Sequence, residues 1–480
     1  MLTTRRAKLD ELRAAGVDPF PHAYAGVVPI ADVHAAFTDI ETGAETEERR
    51  RIAGRLVSRR GQGKMAFLDL EDRSGRIQIQ SKVDVLGAEK HERLLNLDLG
   101  DLIGVDGRIF KSRRGELSLQ VEDFAVLAKS LRPPPDKFHG VQDVELRFRR
   151  RELDLMGNAE TRDLFIARAK IISAIRRYFD DADFVEVETP VLQPLYGGAL
   201  ARPFTTHHNQ LDRDLYLRIA TELYLKRLIV GGLERVYEIG KNFRNEGVSH
   251  KHNPEFTMIE WYEAYADYED EAARLETLVA GVAEAVGYEG EIDWSAPWRR
   301  VTLAGAIEEQ TGIDVLAHRS NEALAKAIAE HPEASQKVPT EGQQWPQMVD
   351  DLMSKFVEPG LIQPTFLMDY PKELSPFAKD HRSEEGVVER WEAFAGGMEI
   401  ANAFTELNDP DEQRRRFEAQ VRLATGGDEE AQPYDESFVE ALEQGMPPTG
   451  GVGLGVDRLV MLMTGRHAIR EVVLFPAMRD

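Results

Sequence analysis

The spacing of hydrophobic and polar residues changes twice in the first third of the chain and divides it into regions. Residues 1–45 place Leu9, Leu12 and Val17 at helical spacing and predict a helix, a turn and a second helix. Residues 46–130 consist of short stretches in which apolar and polar residues alternate, separated by turn residues. About five strands over this length favour a small β-barrel of the oligonucleotide-binding (OB) type.

A linker and a second, larger domain are predicted to follow the barrel. Residues 131–145 include three consecutive prolines, which favour an extended and semi-rigid connection. Helical spacing dominates residues 162–184, and the domain as a whole spans residues 146–480. A helix-rich stretch without recognisable motifs, at about 270–360, is predicted to be an insertion in this domain.

A polar turn leading into a strand has the sequence NFRNEGVSHKHNPEFTMIEWY. Alternation along the strand puts Phe256, Met258, Glu260 and Tyr262 on one face. A carboxylate, a phenol and an aromatic ring on one face, shortly after Arg244, favour a polar small-molecule pocket. The alternative is an exposed edge strand with a solvated hairpin.

A second alternating stretch, ERWEAFAGGMEIANAFTELND, carries the remaining polar groups. The residues that share one strand face there are Ile400, Asn402, Phe404 and Glu406. Glu399 has the opposite parity, so a bulge or a strand start must intervene if it shares their pocket. Glu392 and Glu399 flank a Gly-Gly turn and can supply hard oxygen ligands to magnesium already bound by phosphates. A lone pair of glutamates would more often lie on the surface.

The glycine-rich run PPTGGVGLGVDRLVMLMTG near the C-terminus superficially suggests a dinucleotide-binding loop. No βαβ unit with a downstream acid accompanies Gly451, Gly453 and Gly455, so that reading is weak. The better interpretation is a glycine-rich strand leading into a helix that starts near Asp457 and carries Arg458 into a site.

Composition restricts the function classes further. A chain of 480 residues predicts two or three domains. The absence of cysteine excludes disulfides, thiolate zinc sites and a cysteine nucleophile. No apolar run reaches the roughly 20 residues of a membrane span, so no membrane association and a cytoplasmic location are expected. The net charge of −24 argues against a general nucleic-acid coat but leaves room for one specific RNA.

The predicted barrel carries a local basic cluster. Arg59, Arg60 and Lys64 lie close to Phe67 in the sequence, an arrangement with which such barrels grip a nucleic-acid backbone and stack bases. Phe67 could alternatively be an ordinary core residue.

FRNEG followed by HNPEFTMIE resembles motif 2 of class II aminoacyl-tRNA synthetases, in the form seen in bacterial-type lysyl-tRNA synthetases. The helix of residues 162–184 with the following VEVETPVL resembles motif 1, and the glycine-rich run resembles motif 3. The RPxPDKFHG pattern and the closing LFPAMRD extend the resemblance, which covers about residues 51–478. Glu152 departs from it, since the family usually has tyrosine there.

The resemblance implies an α+β fold, in which an OB-type anticodon-binding barrel precedes a catalytic domain with a mostly antiparallel sheet flanked by helices. It implies a lysine–tRNA ligase that uses ATP, L-lysine, tRNA(Lys) and Mg²⁺, and a homodimer whose interface is built by motif 1. The carboxylate of lysine would attack the α-phosphate of ATP, and the adenylate would then pass its lysyl group to the tRNA.

The resemblance also assigns roles to individual residues. The catalytic and ATP-binding residues it implies are Arg244, Glu246, His252, Phe256, Glu392 and Arg458, with Arg244 and Arg458 catalytic. The lysine-binding residues it implies are Gly198, Glu222, Glu260, Tyr262, Asn402, Phe404 and Glu406. Magnesium would be held by Glu392 and Glu399. The positions implied to read the anticodon are Arg60, Phe67, Gln78 and Glu116.

Two alternatives stay open at this point. A synthetase for aspartate or asparagine would share the ATP residues, but an aspartate pocket needs cations where this chain offers Glu222, Glu260 and Glu406. A non-catalytic RNA-binding relative should have lost ATP ligands, whereas Arg244 and Arg458 are both present.

Overall fold

The structure is a computed structural model that describes residues 2–61, 63–135, 140–199, 201–375, 377–425 and 433–478. The chain divides into two compact units, Met1–Ala159 and Glu160–Asp480. Residues 136–139 of the predicted linker lie outside the described residues, and the predicted domain boundaries remain predictions.

The first unit is built around a barrel. Its elements are α1 (Leu2–Ala14), α2 (Ile30–Ala36), β1 (Glu45–Arg60), β2 (Met65–Glu71), β3 (Arg76–Lys82), α3 (Val83–Leu86), α4 (Ala88–Asn96), β4 (Leu102–Lys111), β5 (Leu117–Ala128), α5 (Val144–Arg149) and α6 (Arg151–Gly157). Among the described residues, five strands close in the order β1-β2-β3-β5-β4. The predicted helix–turn–helix and OB-type barrel are therefore confirmed, and α3 and α4 are elements that the sequence analysis did not predict.

Alternation explains why the barrel closes around an apolar interior. On β2, Ala66, Leu68 and Leu70 are completely buried, while Phe67 between them is only half-buried and lies outside the apolar cluster. On α1, Leu12 packs against the same interior. Each strand thus gives one face to the core and leaves the other available for contacts with a partner.

The second unit begins with the long helix of the motif 1 resemblance. Its first elements are α7 (Ala159–Asp181), β6 (Val185–Glu186), β7 (Leu192–Gln193), β8 (Thr205–His208), β9 (Arg213–Leu217), α8 (Glu222–Val230), β10 (Arg235–Phe243), β11 (Glu255–Ala264) and α9 (Tyr268–Val286). They are followed by β12 (Arg299–Thr302), α10 (Leu303–Thr311), α11 (Asn321–Glu330), α12 (Ala334–Lys337), α13 (Trp345–Leu352) and a π-helical turn (Met353–Val357). The last elements are β13 (Thr365–Pro371), β14 (Val387–Ala395), β15 (Met398–Thr405), α14 (Pro410–Thr425), α15 (Glu436–Leu442), β16 (Thr449–Gly455), α16 (Val456–Met463) and α17 (Ile469–Val472).

In the described part of this unit, eight strands form one sheet in the order β12-β13-β14-β15-β16-β11-β10-β6. Only the terminal pairs β12/β13 and β10/β6 are parallel, and the five inner pairs are antiparallel. The predicted, mostly antiparallel sheet flanked by helices is confirmed. Within the described ranges, no helix has the length and apolar composition that crossing a bilayer requires.

Two apolar cores support the sheet. One lies between the sheet and helices α7, α9 and α16, with Phe179, Trp261 and Trp391 at its centre. A second core gathers α10 to α13 against β13 and β14. The helix-rich stretch predicted as an insertion therefore contributes α9 to the first core and the later helices to the second.

Candidate functional site

One pocket of the second unit opens over the central strands and encloses a cavity of about 350 Å³. All the site residues that the sequence analysis assigned to this domain line it. They are Gly198, Glu222, Arg244, Glu246, His252, Phe256, Glu260, Tyr262, Glu392, Glu399, Asn402, Phe404, Glu406 and Arg458. The structure thus brings residues from distant parts of the chain to one place, while their individual roles stay predictions.

The glycine-rich strand β16 forms the floor of the pocket between two polar strands. Glu260 on β11 and Asn402 on β15 both lie opposite Gly453, and Tyr262 lies opposite Gly451. A Cβ atom at Gly451 would lie 2.1 Å from Oε1 of Glu406 and 2.4 Å from Cε1 of Tyr262. The glycine is required because these side chains occupy the space above it.

A two-residue turn and a bulge bring Glu399 to the pocket. Gly396 and Gly397 join β14 to β15, and both have positive φ values (59° and 71°), as tight hairpin turns of this length require. Glu392 pairs with Asn402, but the register then shifts, and β15 holds one residue more than β14. The bulge that the parity of Glu399 required is present, and it turns Glu399 to the same side as Glu392.

One end of the pocket is strongly acidic and buried. Glu222 is the first residue of α8, and Thr221 N donates a hydrogen bond of 3.1 Å to Oε1 of Glu260. The side chain of Glu406 is fully buried and forms an ion pair with Lys226, which also lies 2.6 Å from Glu222. Oε2 of Glu260 and Oε1 of Glu406 have no hydrogen-bond partner among the described residues.

Burial changes the acidity of this end. It raises the pKa of Glu260 to about 7, and it raises the pKa of Glu406 to about 8 although Lys226 opposes the rise. Burial also lowers the pKa of Lys226, but Glu222 and Glu406 outweigh it and the pKa is raised. The pKa of Tyr262 is raised far above its ordinary value by burial and by these carboxylates.

The other end of the pocket carries cationic groups. Nε of Arg244 is buried without a hydrogen-bond partner among the described residues, and its guanidinium lies 5.1 Å from the ring centroid of Phe256. Arg458 donates to the carbonyl of Glu399 at 2.8 Å and to its carboxylate at 3.0 Å. Burial and the neighbouring Arg458 lower the pKa of His252 to about 4, so this imidazole is neutral at pH 7.

Glu392 and Glu399 have different environments. Tyr370 donates a hydrogen bond of 2.8 Å to Glu392, and Arg390 forms an ion pair with it. Burial and the charge of Glu399 raise the pKa of Glu392 to about 7 despite Arg390. Although burial raises it, Arg458 brings the pKa of Glu399 below its ordinary value.

The barrel carries the other predicted site. Arg60 on β1 lies directly opposite Phe67 on β2, and Gln78 on β3 lies opposite Asp69, two positions further along β2. The Oγ of Ser118 donates a hydrogen bond of 3.2 Å to Gln78, and Glu116 is exposed in the turn before β5. Three of the predicted anticodon residues thus lie on adjacent strands, with Glu116 at the start of the next.

Comparison with known proteins identifies both parts. The family described as "tRNA synthetases class II (D, K and N)" matches residues 143–479, and an "OB-fold nucleic acid binding domain" matches residues 51–127. A lysine–tRNA ligase of Clostridium perfringens (strain SM101 / Type A) is 50% identical over 99% of this chain and 95% of its own length. One from Bacillus subtilis (strain 168) is 49% identical over 100% of this chain and 97% of its own length.

The chain belongs to the class II lysyl-tRNA synthetases. The expected resemblance and the fold class that it implied are thereby confirmed. A further relative, the lysine–tRNA ligase of Chloroflexus aurantiacus, is 50% identical over 99% of this chain and 97% of its own length.

Three residues in or next to this synthetase pocket were missed by the sequence analysis. Lys226 lies between two of the acids, and Arg390 binds Glu392 and donates a hydrogen bond of 3.1 Å to Asn402. Asp457 accepts a 2.7 Å hydrogen bond from Thr257 N and forms an ion pair of 2.6 Å with Arg168. In the sequence, only their positions close to assigned residues could have indicated these three residues. Most of the groups they contact come from distant parts of the chain.

Replacing Phe67 with alanine is expected to weaken tRNA binding by about 1–3 kcal/mol, the range typical of a base-stacking aromatic. Lysine activation should stay at the parental rate, because the residues proposed for it lie in the second unit. Filter binding of tRNA and pyrophosphate exchange measure the two effects. The neighbouring Leu68→Ala is the control, since Leu68 is buried in the barrel and its loss should lower the melting temperature. Equal damage to both reactions by Phe67→Ala would make Phe67 a structural residue.

Proposed function

We propose that this chain joins L-lysine to tRNA(Lys) in two steps, with the pocket as the site of lysine activation. In the first step a carboxylate oxygen of lysine forms a bond to the α-phosphorus of ATP, and the bond from that phosphorus to the β-phosphate bridge breaks, releasing pyrophosphate. In the second step the 3′-terminal hydroxyl of the tRNA attacks the carbonyl carbon, so that the lysyl ester forms and AMP leaves with the proton passing to solvent. Positioning and charge neutralisation supply the catalysis, and no side chain acts as a nucleophile.

The observation that carries this proposal is the charge of the acidic end. Glu222, Glu260 and Glu406 are all buried there, and Lys226 supplies one compensating charge. When ionised, these four groups sum to two negative charges, which two ammonium groups of a lysine substrate would balance. We assign Glu222 to the α-amino group and Glu406 with Tyr262 to the ε-amino group.

The cationic end suits the carboxylate of lysine and the phosphates of ATP. Nε of Arg244 is buried and has no hydrogen-bond partner in the part of the chain that the structure describes, so a ligand oxygen would satisfy a donor that otherwise costs free energy. We assign it to the lysine carboxylate and the α-phosphate together. Phe256 and Arg458 would hold the adenine between them, Glu246 would bind its edge, and His252 would reach the phosphates.

The remaining lysine-binding residues lie between these two ends. Gly198 has a positive φ of 86°, and a Cβ there would lie 2.9 Å from Cβ of Glu222. We assign its backbone to the α-amino group. Asn402, held by Arg390, and Phe404 would line the aliphatic part of the lysine side chain.

Glu392 and Glu399 fit a magnesium ion bound together with ATP. The charge of Glu399 raises the pKa of Glu392, and a divalent cation between the two carboxylates would offset this repulsion. In the described ranges, no group of three or more histidine, aspartate or glutamate side chains is arranged to hold a metal. Phosphate oxygens and water would therefore complete the coordination, as is usual for magnesium. Bound there, the ion would neutralise charge on the phosphates.

We further propose a homodimer formed through the motif 1 region. In the described residues β6 lies at an edge of the large sheet, and several apolar side chains of the motif 1 region are exposed. They are Ile166, Val185, Val191 and Leu192. Exposed apolar side chains grouped in one region of the chain favour an interaction surface. Glu152 does not belong to this group; it lies on α6 of the first unit and forms an exposed ion pair with Arg150. The cytoplasmic location stays a prediction.

The alternatives from the sequence are less well supported. A pocket for aspartate would need cations at the end where three carboxylates lie. A non-catalytic relative would not need a complete set of ATP ligands in one pocket.

Pyrophosphate exchange into ATP across a panel of amino acids tests the proposed function. We expect exchange with lysine, ATP and magnesium in the absence of tRNA, because every proposed activation residue lies in the second unit. Aspartate, asparagine, methionine and leucine should give background rates. Exchange that appeared only after addition of tRNA, or only with another amino acid, would contradict the proposal.

A further inference from the structure

A buried lysine of the chain contacts two acidic residues of the pocket without lining the cavity itself. Lys226 lies one helical turn after Glu222 on α8, and its side chain is completely buried. Its Nζ contacts Oε1 of Glu222 at 2.6 Å and forms an ion pair with Oε2 of Glu406. The ring centroid of Phe377 lies 5.6 Å from the same nitrogen. A buried ammonium is strongly unfavourable unless it is paired, so the contacts with two carboxylates offset the free-energy cost of burying Lys226.

We propose that Lys226 is a specificity-determining positioning residue, whose ammonium links the carboxylates for the two amino groups of the substrate and holds them apart at a fixed distance. In the proposed function, on which this role depends, Glu222 receives the α-amino group and Glu406 the ε-amino group. Because one ammonium contacts both, neither carboxylate can shift without losing an ion pair. The length of substrate that spans them is therefore set by a residue that the substrate does not have to touch.

Charge balance gives Lys226 a second effect. The titratable groups that contact Lys226 are Glu222 on its own helix and Glu406 after β15. Glu260 and Tyr262 on β11 interact in turn with these carboxylates. With Lys226 the ionised pocket carries two negative charges and matches the two ammonium groups of lysine. Without it, three carboxylates would face two ammonium groups, and one carboxylate would hold a proton instead.

The variant Lys226→Met tests this role, because methionine has a similar length but no charge. In the parent, kcat/KM for lysine should rise with pH, since Glu260 with a pKa of about 7 and Glu406 with a pKa of about 8 bind ammonium only when ionised. Lys226 lowers the pKa of Glu406, so its removal should move this rise to higher pH by about one to three units. Activity lost at pH 7 should therefore begin to return only at about pH 9, with the KM for ATP unchanged.

Leu225→Met is the matched control, since Leu225 is the buried neighbour on the same helix and its replacement changes packing without changing charge. It should leave the pH profile in place. A Lys226→Met profile that is lowered equally at every pH would overturn the proposal, because a merely structural residue acts that way. Failure of the parent to activate lysine at all would instead refute the proposed function.

A structure of the parent with bound lysine provides a test that needs no variant. We expect Nζ of Lys226 to keep both carboxylate contacts while the substrate ammonium groups take the remaining oxygens. If the bound substrate displaces Lys226 from Glu222 and Glu406, then Lys226 only neutralises these carboxylates when no substrate is bound, and the proposal is wrong. Lys226→Gln serves as a second variant for the pH measurement should Lys226→Met fail to fold.

Discussion

Replacing Glu406 with glutamine is expected to lower kcat/KM for lysine by about two to four orders of magnitude. Glu406 is fully buried, and one of its oxygens has no hydrogen-bond partner among the described residues. Removing one partner of a buried ion pair costs roughly 3–5 kcal/mol, which corresponds to that loss of rate. The variant would leave both Lys226 and the substrate ammonium short of a charge partner. Pyrophosphate exchange at several lysine concentrations measures the effect.

Binding of ATP should survive in Glu406→Gln, because the proposed ATP residues lie at the cationic end. Glu440→Gln, an exposed substitution of the same kind on α15, should behave as the parent does. Tyr262→Phe should cost less, about 1.5–3 kcal/mol, the value of one hydrogen bond to a charged group. Parental lysine activation by Glu406→Gln would refute the specificity assignment while leaving the family assignment untouched.

Replacing Arg244 with lysine is expected to lower kcat by roughly 10²–10³-fold, the usual loss when a group that stabilises the transition state is removed. The substitution keeps a positive charge but loses the planar fork that can contact a carboxylate and a phosphate together. It also removes the guanidinium from its place 5.1 Å from the Phe256 ring. Single-turnover formation of lysyl-adenylate measures this step directly.

Arg235→Lys, at the first residue of β10, the strand that ends immediately before Arg244, is the control for Arg244→Lys. Arg235 is exposed and pairs with Glu263 at 2.9 Å outside the pocket, so its replacement should change little. Lysine keeps the positive charge at this exposed position, and the buried Glu263 also keeps its ion pair with Arg274. If Arg244→Lys formed the adenylate at the parental rate, a single charge would suffice and the bridging role of Arg244 would be wrong.

Much of the pocket was predictable because strand alternation is a local property. Phe256, Met258, Glu260 and Tyr262 were placed on one face from their spacing, and all four line the cavity. The parity of Glu399 even required the bulge that β15 contains. The glycines of β16 were assigned to a strand because no βαβ unit accompanies them. Their register explains why glycine is needed, because side chains of the neighbouring strands lie over them.

Residues whose importance depends on distant partners could not be predicted. Lys226 follows Glu222 by four positions, which on sequence alone is an ordinary exposed helical pair. Its burial also requires Glu406, which lies 180 positions later in the sequence and is brought next to Lys226 only when the sheet folds. Asp457 resembles a favourable first-turn charge on α16, and its contacts with Thr257 and Arg168 appear only in the fold.

Helices α3 and α4 in the barrel unit were missed for another reason. They have four and nine residues, lengths at which an isolated helix is marginal and local spacing gives little signal. His91 on α4 is buried, and its ring nitrogens contact Ser81 at 2.7 Å and the carbonyl of Gly63 at 2.9 Å. Contacts with the barrel therefore determine where this segment is helical.

The bulge in β15 has an evolutionary consequence. Side chains of β15 can be exchanged one at a time, but a deletion in its first half would reverse the side to which Glu399 points relative to Asn402 and Phe404. Glu399, which is proposed to bind magnesium, precedes the extra residue along β15. Asn402 and Phe404, which are proposed to bind lysine, follow it. Descendants of this gene can therefore alter amino-acid selectivity by substitution, whereas a change in the length of this hairpin would separate amino-acid recognition from phosphate chemistry in a single mutation.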